Sequence, residues 1–188
     1  MVQTPSKAIA LEEFLKLPET KPASEFIDGQ IIQKAMPQGE HSRLQQKLIA
    51  AINAVLEDKK IALALPELRC TFGGRSVVPD VAVFTWGNIP THPDGTIANS
   101  FNLPPDWAIE ILSPDQSVNR VVVNLLYCLD RGSQMGWLID PAERLVMIYQ
   151  PKQQPIAIDK SEQVLAVPNF ASELQLTLGQ LFDWLKVH

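Results

Sequence analysis

Taken as a string of apolar and polar positions, the chain switches repeatedly between a period near 3.6 and a period near two. Between Gly39 and Lys60, Leu44, Leu48, Ala51, Ile52 and Val55 recur at spacings of three and four with polar residues on the other face, which predicts an amphipathic helix. A shorter helix is expected over Leu11 to Leu17, and others over Val118 to Asp130, stopped by Gly132, and over Thr177 to Val187. Strand-type runs occupy Ile61 to Phe72, Val77 to Phe84 and Asp106 to Leu112. A further strand pair, Met135–Pro141 and Arg144–Pro151, turns around Pro141-Ala142-Glu143. Asp28-Gly29 between two apolar stretches signals a hairpin. Gly73-Gly74 predicts an antiparallel link between the two runs that flank it, and Pro155 to Val167 reads as one more hairpin. From Trp86 to Pro105 the composition turns to Gly, Asn, Thr and Pro, a long surface loop of the kind that often carries function. The order helix, strand, strand, strand, helix, strand, with a hairpin before it and strands after it, predicts an α/β or α+β fold: a mixed sheet flanked by helices.

Composition narrows this picture. The 188 residues are 46% hydrophobic, which suits one domain with a sizeable core over residues 1–188. Mean hydropathy is +0.01, and no apolar run approaches the ~18 residues of a membrane span. The N-terminus lacks the long apolar stretch of a signal peptide. Only two cysteines occur, Cys70 and Cys128, without metal-ligand spacing; they read as buried free thiols of a cytoplasmic protein. A net charge of −5 weighs against non-specific coating of nucleic acid, though not against one local basic groove.

Two positions break the apolar pattern. Asp80 interrupts the run "RSVVPDVAVFTW" directly after Pro79, and Glu110 sits among Trp107, Ala108, Ile109, Ile111 and Leu112. A carboxylate in a core strand is costly unless something neutralises or uses it. If the strands are neighbours, both acids face one point, and their repulsion is relieved by a divalent cation such as Mg²⁺, which takes hard oxygen ligands and keeps several waters. A main-chain carbonyl, that of Ile111, would complete an open site. The alternative is that each acid lies at an edge or pairs with an Arg or Lys, and spacing alone leaves both readings open.

"EFIDG", "EH" opening a helix, "VVPDVAVF", "EILSPD" and "GWLIDP" resemble, in that order, the signature blocks of the Uma-type family of restriction-endonuclease-like proteins. The resemblance spans about Leu11 to Leu185. It implies a restriction-endonuclease-like core of the PD-(D/E)xK nuclease superfamily, αβββαβ in order, and a Mg²⁺- or Mn²⁺-dependent phosphodiesterase acting on DNA. Carried over by position, Asp80 and Glu110 would be the metal ligands. Glu25 would bind a second metal or orient water, or else be a solvated residue at a hairpin start. His41 would be a proton carrier or an exposed residue at the helix start. The superfamily's lysine two residues after the glutamate is Leu112 here, and the helix position to which the resembling family moves it falls on Asn124. Asparagine can orient water but supplies no charge. Arg120, one turn earlier on the same helix face, would supply the missing cation or stand exposed near the helix start.

Arg43, Lys47, Arg69 and Arg75 are further candidates for phosphate contact, or solvated surface charges. Trp107, Trp137 and Trp184 read as packing, and Trp86 as packing or a base-stacking platform. Ser113 and Asp115 read as helix caps. A phosphate-binding G-x-x-x-x-G-K-[ST] loop and a nucleophilic Ser or Cys elbow are both absent from the sequence. Two functions follow: a metal-dependent DNA endonuclease, expected by analogy to be a homodimer, or a catalytically inactive binding module that retains the acids.

Overall fold

A computed structural model describes residues 9–114 and 116–187. It contains strands β1 (Ser24–Ile27), β2 (Gln30–Gln33), β3 (Ala62–Pro66), β4 (Cys70–Phe72), β5 (Arg75–Val77), β6 (Val81–Thr85), β7 (Trp107–Ile111), β8 (Met135–Asp140), β9 (Leu145–Tyr149) and β10 (Ile156–Ile158). The helices are α1 (Leu11–Phe14), α2 (Gly39–Leu56), α3 (Val118–Asp130) and α4 (Leu178–Asp183). The fold is the expected mixed sheet flanked by helices, with a second sheet beside it. Six strands run in the order β10-β9-β8-β7-β6-β3, and four in the order β2-β1-β5-β4. Among the described strands only β7 and β8 pair in parallel, and α3 makes the crossover that a parallel pair requires.

Side-chain alternation divides the large sheet between two cores. Val81, Val83, Trp107, Ile109 and Ile111 join Leu44, Leu48, Ile52 and Leu56 of α2. Ala82, Phe84 and Ala108 join Val121, Leu125 and Cys128 of α3, together with Cys70, Phe72 and Val77 of the small sheet. By the same period of two, Asp80 and Glu110 fall on the α3 side. The antiparallel register sets Val81 opposite Ile109, so one residue further Asp80 stands opposite Glu110.

Asp28 and Gly29 take φ of 51° and 80°, the left-handed pair that a tight two-residue hairpin turn demands. Several boundaries differ from expectation. The run Ile61–Phe72 is two strands, because Glu67 takes a left-handed φ of 43° after Pro66 and ends β3. The run Val77–Phe84 is also broken, with Val78, Pro79 and Asp80 carrying the chain from the small sheet to the large one. Gly73-Gly74 therefore closes the β4–β5 hairpin, while β3 pairs with β6. The segment Pro155–Val167 forms only β10, which extends the large sheet; Val164 bridges Thr177 instead of closing a hairpin. The terminal helices are shorter than expected.

The long loop after β6 is pinned at its base by buried Asp106, which accepts hydrogen bonds from Thr85 N (2.7 Å), Thr85 Oγ1 (2.9 Å) and Asn88 Nδ2 (3.0 Å). Trp107 and Trp137 meet edge to face in the core, with ring centres 4.8 Å apart, whereas Trp86 is exposed. Cys70 and Cys128 are buried and free. Burial pushes both thiols up, Cys70 to about 12, which makes them unreactive. Among the described residues no helix is long and apolar enough to cross a membrane.

Candidate active site

The seam between the two sheets gathers charged side chains from five segments. Glu25 comes from β1, Lys34 from the residue after β2, His41 from the first turn of α2, Asp80 from the link into β6, and Glu110 from the middle of β7. Glu25, His41, Asp80 and Glu110 are all buried. Asp80 and Glu110 converge closely enough for a single nitrogen to bond to both. Lys34 Nζ donates to Asp80 Oδ1 at 2.7 Å, to Glu110 Oε2 at 3.1 Å and to Val78 O at 2.7 Å, so its three protons are fully used.

The other oxygens are held from behind. Asp80 Oδ2 accepts from Ile111 N at 2.8 Å and lies 3.0 Å from His41 Nε2. The main-chain oxygen of Asp80 accepts from Gln45 Nε2 at 2.7 Å. Glu25 Oε1 accepts from Val78 N at 2.8 Å, and Oε2 from Asn124 Nδ2 at 3.1 Å. With both oxygens committed inside the protein, Glu25 is not the solvated hairpin residue that one reading allowed, and it braces the segment that carries Asp80. Two buried atoms here find no partner among the described residues, His41 Nδ1 and Asn124 Oδ1.

Several expectations change on this geometry. The carbonyl that meets the two carboxylates at the Lys34 ammonium is that of Val78, while Ile111 donates its N–H to Asp80 Oδ2. The basic side chain that pairs with both acids is Lys34. Arg120 is exposed on α3 and makes no ion pair with the acids among the described residues, although it lines a cavity beside them. Asn124 shares its wall but spends its amide on Glu25. His41 is buried rather than exposed. Of the basic candidates, Arg69 forks onto Glu19 (2.7 and 3.1 Å) and Arg75 onto Asp28 (2.7 and 3.0 Å). Arg43 Nε donates to Trp184 O at 3.1 Å and ties α2 to the C-terminal end, while Lys47 is half-buried. Ser117 occupies the N-cap of α3, so Ser113 is not its cap; Asp115 lies outside the described residues.

Two cavities flank the Lys34 ammonium. One, of about 370 Å³, is lined by Lys21, Lys34, His41, Asp80, Ser113 and Gln116. The other, of about 280 Å³, is lined by Glu25, Lys34, Glu110, Gln116, Arg120 and Asn124. Their walls hold the basic residues Lys21, Lys34 and Arg120 beside Glu25, Glu67, Asp80, Glu110 and the Arg69-paired Glu19, so the groove is rich in acidic groups.

Three buried acids share one ammonium, and the imbalance appears in their protonation. Burial pushes Glu110 well above its ordinary value; Asp80 and Glu25 add to this, and together they outweigh Lys34. Burial also raises Glu25, against the pull of Lys34, Val78 N and Asn124. For Asp80 the balance reverses: burial opposes ionisation, but Lys34 and His41 overcome it and hold the carboxyl below its ordinary value. Burial disfavours the charged form of Lys34, yet Glu110, Asp80 and Glu25 together raise it.

Because the folded state retains the Glu110 proton above the ordinary value of 4.5, this group favours folding most at acid pH, and its contribution falls as pH rises toward the folded value. Glu110→Gln has no proton to lose, so its stability is expected to fall less than that of wild type as pH rises above 4.5 in the metal-free protein. Urea unfolding at pH 4.5 and pH 8 measures the two slopes, and a variant whose stability falls as steeply as that of wild type would contradict this charge balance.

Lys34 is the functional candidate that the sequence reading missed, and a signal for it existed. A two-residue turn at Asp28-Gly29 pairs Ile27 with Gln30 and Glu25 with Ile32. The next pair on the same face is Ala23 with Lys34, where Lys34 N donates to Ala23 O at 2.9 Å. The hairpin register thus turns a lysine toward the face of Glu25.

Comparison with known proteins is consistent across sequence and structure. A family model described as "Uma2: Putative restriction endonuclease" matches residues 11–179. A crystal structure described as a "putative nuclease belonging to DUF820", from Anabaena variabilis, is 55% identical with a TM-score of 0.94 and covers 95% of this chain and 99% of that one. The DrdV–DNA complex solved by cryo-electron microscopy is 11% identical with a TM-score of 0.33, with 78% of this chain and 14% of that one covered. No curated protein matches the chain.

Proposed function

The chain belongs to the Uma2 family, and from that premise we propose that it is a divalent-metal-dependent phosphodiesterase acting on DNA. One observation carries the reading: the carboxylates of Asp80 and Glu110 and the carbonyl of Val78 converge on a single cation. These are hard oxygen donors of the kind a divalent ion takes, and among the described residues three buried acids meet one ammonium there. Mg²⁺ or Mn²⁺ would be held by Asp80 and Glu110, and when bound would lower the pKa of water and offset charge on a phosphoryl oxygen.

The protein's own part is positioning. Ile111 N and His41 fix one oxygen of Asp80 and leave the other facing the cation point. Glu25 holds Val78 by its N–H, so that the Val78 carbonyl turns to the same point. The two cavities on either side of Lys34 offer room for a strand to pass the site, and Lys21 and Arg120 line its two approaches. An acid-rich groove repels a polyanion, so DNA binding should itself depend on the divalent ion. A homodimer, with one site for each strand, remains the expected active form by analogy.

A second reading has its own support. Lys34 already neutralises the pair with all three N–H groups engaged, as it would in a binding module that keeps the acids only for structure. Plasmid and single-stranded DNA incubated with wild-type protein and Mg²⁺ or Mn²⁺ discriminate between them. Cleavage that stops on chelation is the expected result. Metal uptake without cleavage favours the module, and neither uptake nor cleavage ends the nuclease reading.

A further inference from the structure

We propose that Lys34 is the lysine of this active site, delivered by the β1–β2 hairpin instead of by the strand of Glu110 or by α3, and that its ammonium exchanges with the divalent ion. The inference rests on the metal-dependent reading above and adds to it a residue and a motion. Leu112, just past β7, and Asn124 on α3 bring no positive charge to the acids. The only ammonium that touches the acids among the described residues comes from Lys34, far away in sequence. It occupies the point where Asp80 Oδ1, Glu110 Oε2 and Val78 O converge, with N–O distances of 2.7, 3.1 and 2.7 Å. Asp80 Oδ2 is held by Ile111 and His41 and both oxygens of Glu25 by Val78 and Asn124, so a metal that uses Asp80 and Val78 O meets the oxygens that Lys34 now holds, with Glu110 offering Oε2 at that point and Oε1 beside it. An ammonium and a metal ion cannot both occupy that point, so loading the site means releasing Lys34.

The release has somewhere to go. Lys34 lies one residue beyond the end of β2, an edge strand whose residues are largely exposed, and its four-carbon stem is flexible. Its side chain lines both cavities, so an ammonium freed from the carboxylates stays beside whatever phosphodiester passes between them. There it supplies the positive charge that Asn124 lacks. The metal-free site is meanwhile held together by its own cation, with no unpaired cluster of buried acids.

Amine-directed labelling of the wild-type protein, read residue by residue by mass spectrometry, tests the exchange without relying on activity or on a variant's folding. Without metal, Lys34 should label at least tenfold more slowly than exposed Lys16, Lys60 and Lys152. Saturating Mn²⁺ should raise the Lys34 rate at least tenfold and leave the other three unchanged. Calorimetry in parallel should show Mn²⁺ uptake by wild type, and tighter uptake by Lys34→Met, from which the competing cation has gone. Uptake by wild type with no change at Lys34 overturns the exchange and leaves the metal reading intact. Uptake by Lys34→Met alone also overturns it, since the lysine then excludes the ion. No uptake by either protein overturns the metal reading itself.

Discussion

Asp80→Asn should abolish metal uptake and lower DNA cleavage by at least about 100-fold, the scale of losing a group that positions charge at a reacting centre. Asp80 Oδ1 faces the cation point at 2.7 Å from Lys34, while Oδ2 accepts from Ile111 N. Asparagine has one acceptor oxygen for these two duties. If it keeps the Ile111 bond, its NH₂ meets the Lys34 ammonium, donor against donor; if it serves the cation point, the Ile111 N–H is left buried without an acceptor. Stability should change in parallel. Asp80 is held below its ordinary 3.8, so its charge contributes stability above that pH, and this is lost as pH falls through the lower folded value. The variant should therefore be less stable than wild type at pH 7, with the gap closing in strong acid. Calorimetric titration with Mn²⁺ and a plasmid assay read the functional effect. Cleavage at wild-type rate would place the chemistry elsewhere.

Lys34→Met should cost about 3–5 kcal/mol of stability at pH 8 without metal, the range for removing one partner of a buried ion pair. The lysine side chain is only 12% exposed and is, among the described residues, the sole ammonium beside three buried acids. Its own titration does not enter between pH 5 and 9. Its folded value is raised, so its contribution is complete below the ordinary 10.5 and is lost only as pH rises through the folded value. The pH dependence comes from the acids it leaves behind. Glu110 and Glu25, already raised by burial, take up protons more readily once the ammonium is gone. The destabilisation should thus be smaller at pH 5 than at pH 8. Mn²⁺ binds the folded form of the variant and should restore stability by mass action, about 2.7 kcal/mol at a hundred times its dissociation constant. Urea unfolding at both pH values, with and without Mn²⁺, gives all four numbers. A loss independent of pH and unchanged by Mn²⁺ would mean that Lys34 contributes packing and not charge.

Much of this protein follows from short stretches of chain. Leu44, Leu48 and Ile52 recur at helical spacing, so α2 and its buried face are readable without neighbours. Asp28-Gly29 specifies a turn because few residues tolerate two left-handed φ values in succession. The misfit of Asp80 and Glu110 in apolar runs marks the site, since an acid there must have a partner. The hairpin register sets Lys34 on the face of Glu25, but its pairing with Asp80 and Glu110 is not readable from local pattern. It depends on Glu67 ending β3, on Val78-Pro79 carrying the chain between sheets, and on the register that sets Val81 opposite Ile109. Periodicity determines which face a residue occupies, because that choice is made within a few bonds. Which faces meet is decided by the pairing and packing of whole elements, and so only the tertiary structure could bring Lys34 of the hairpin, rather than Arg120 of the helix, to the acids of the sheet.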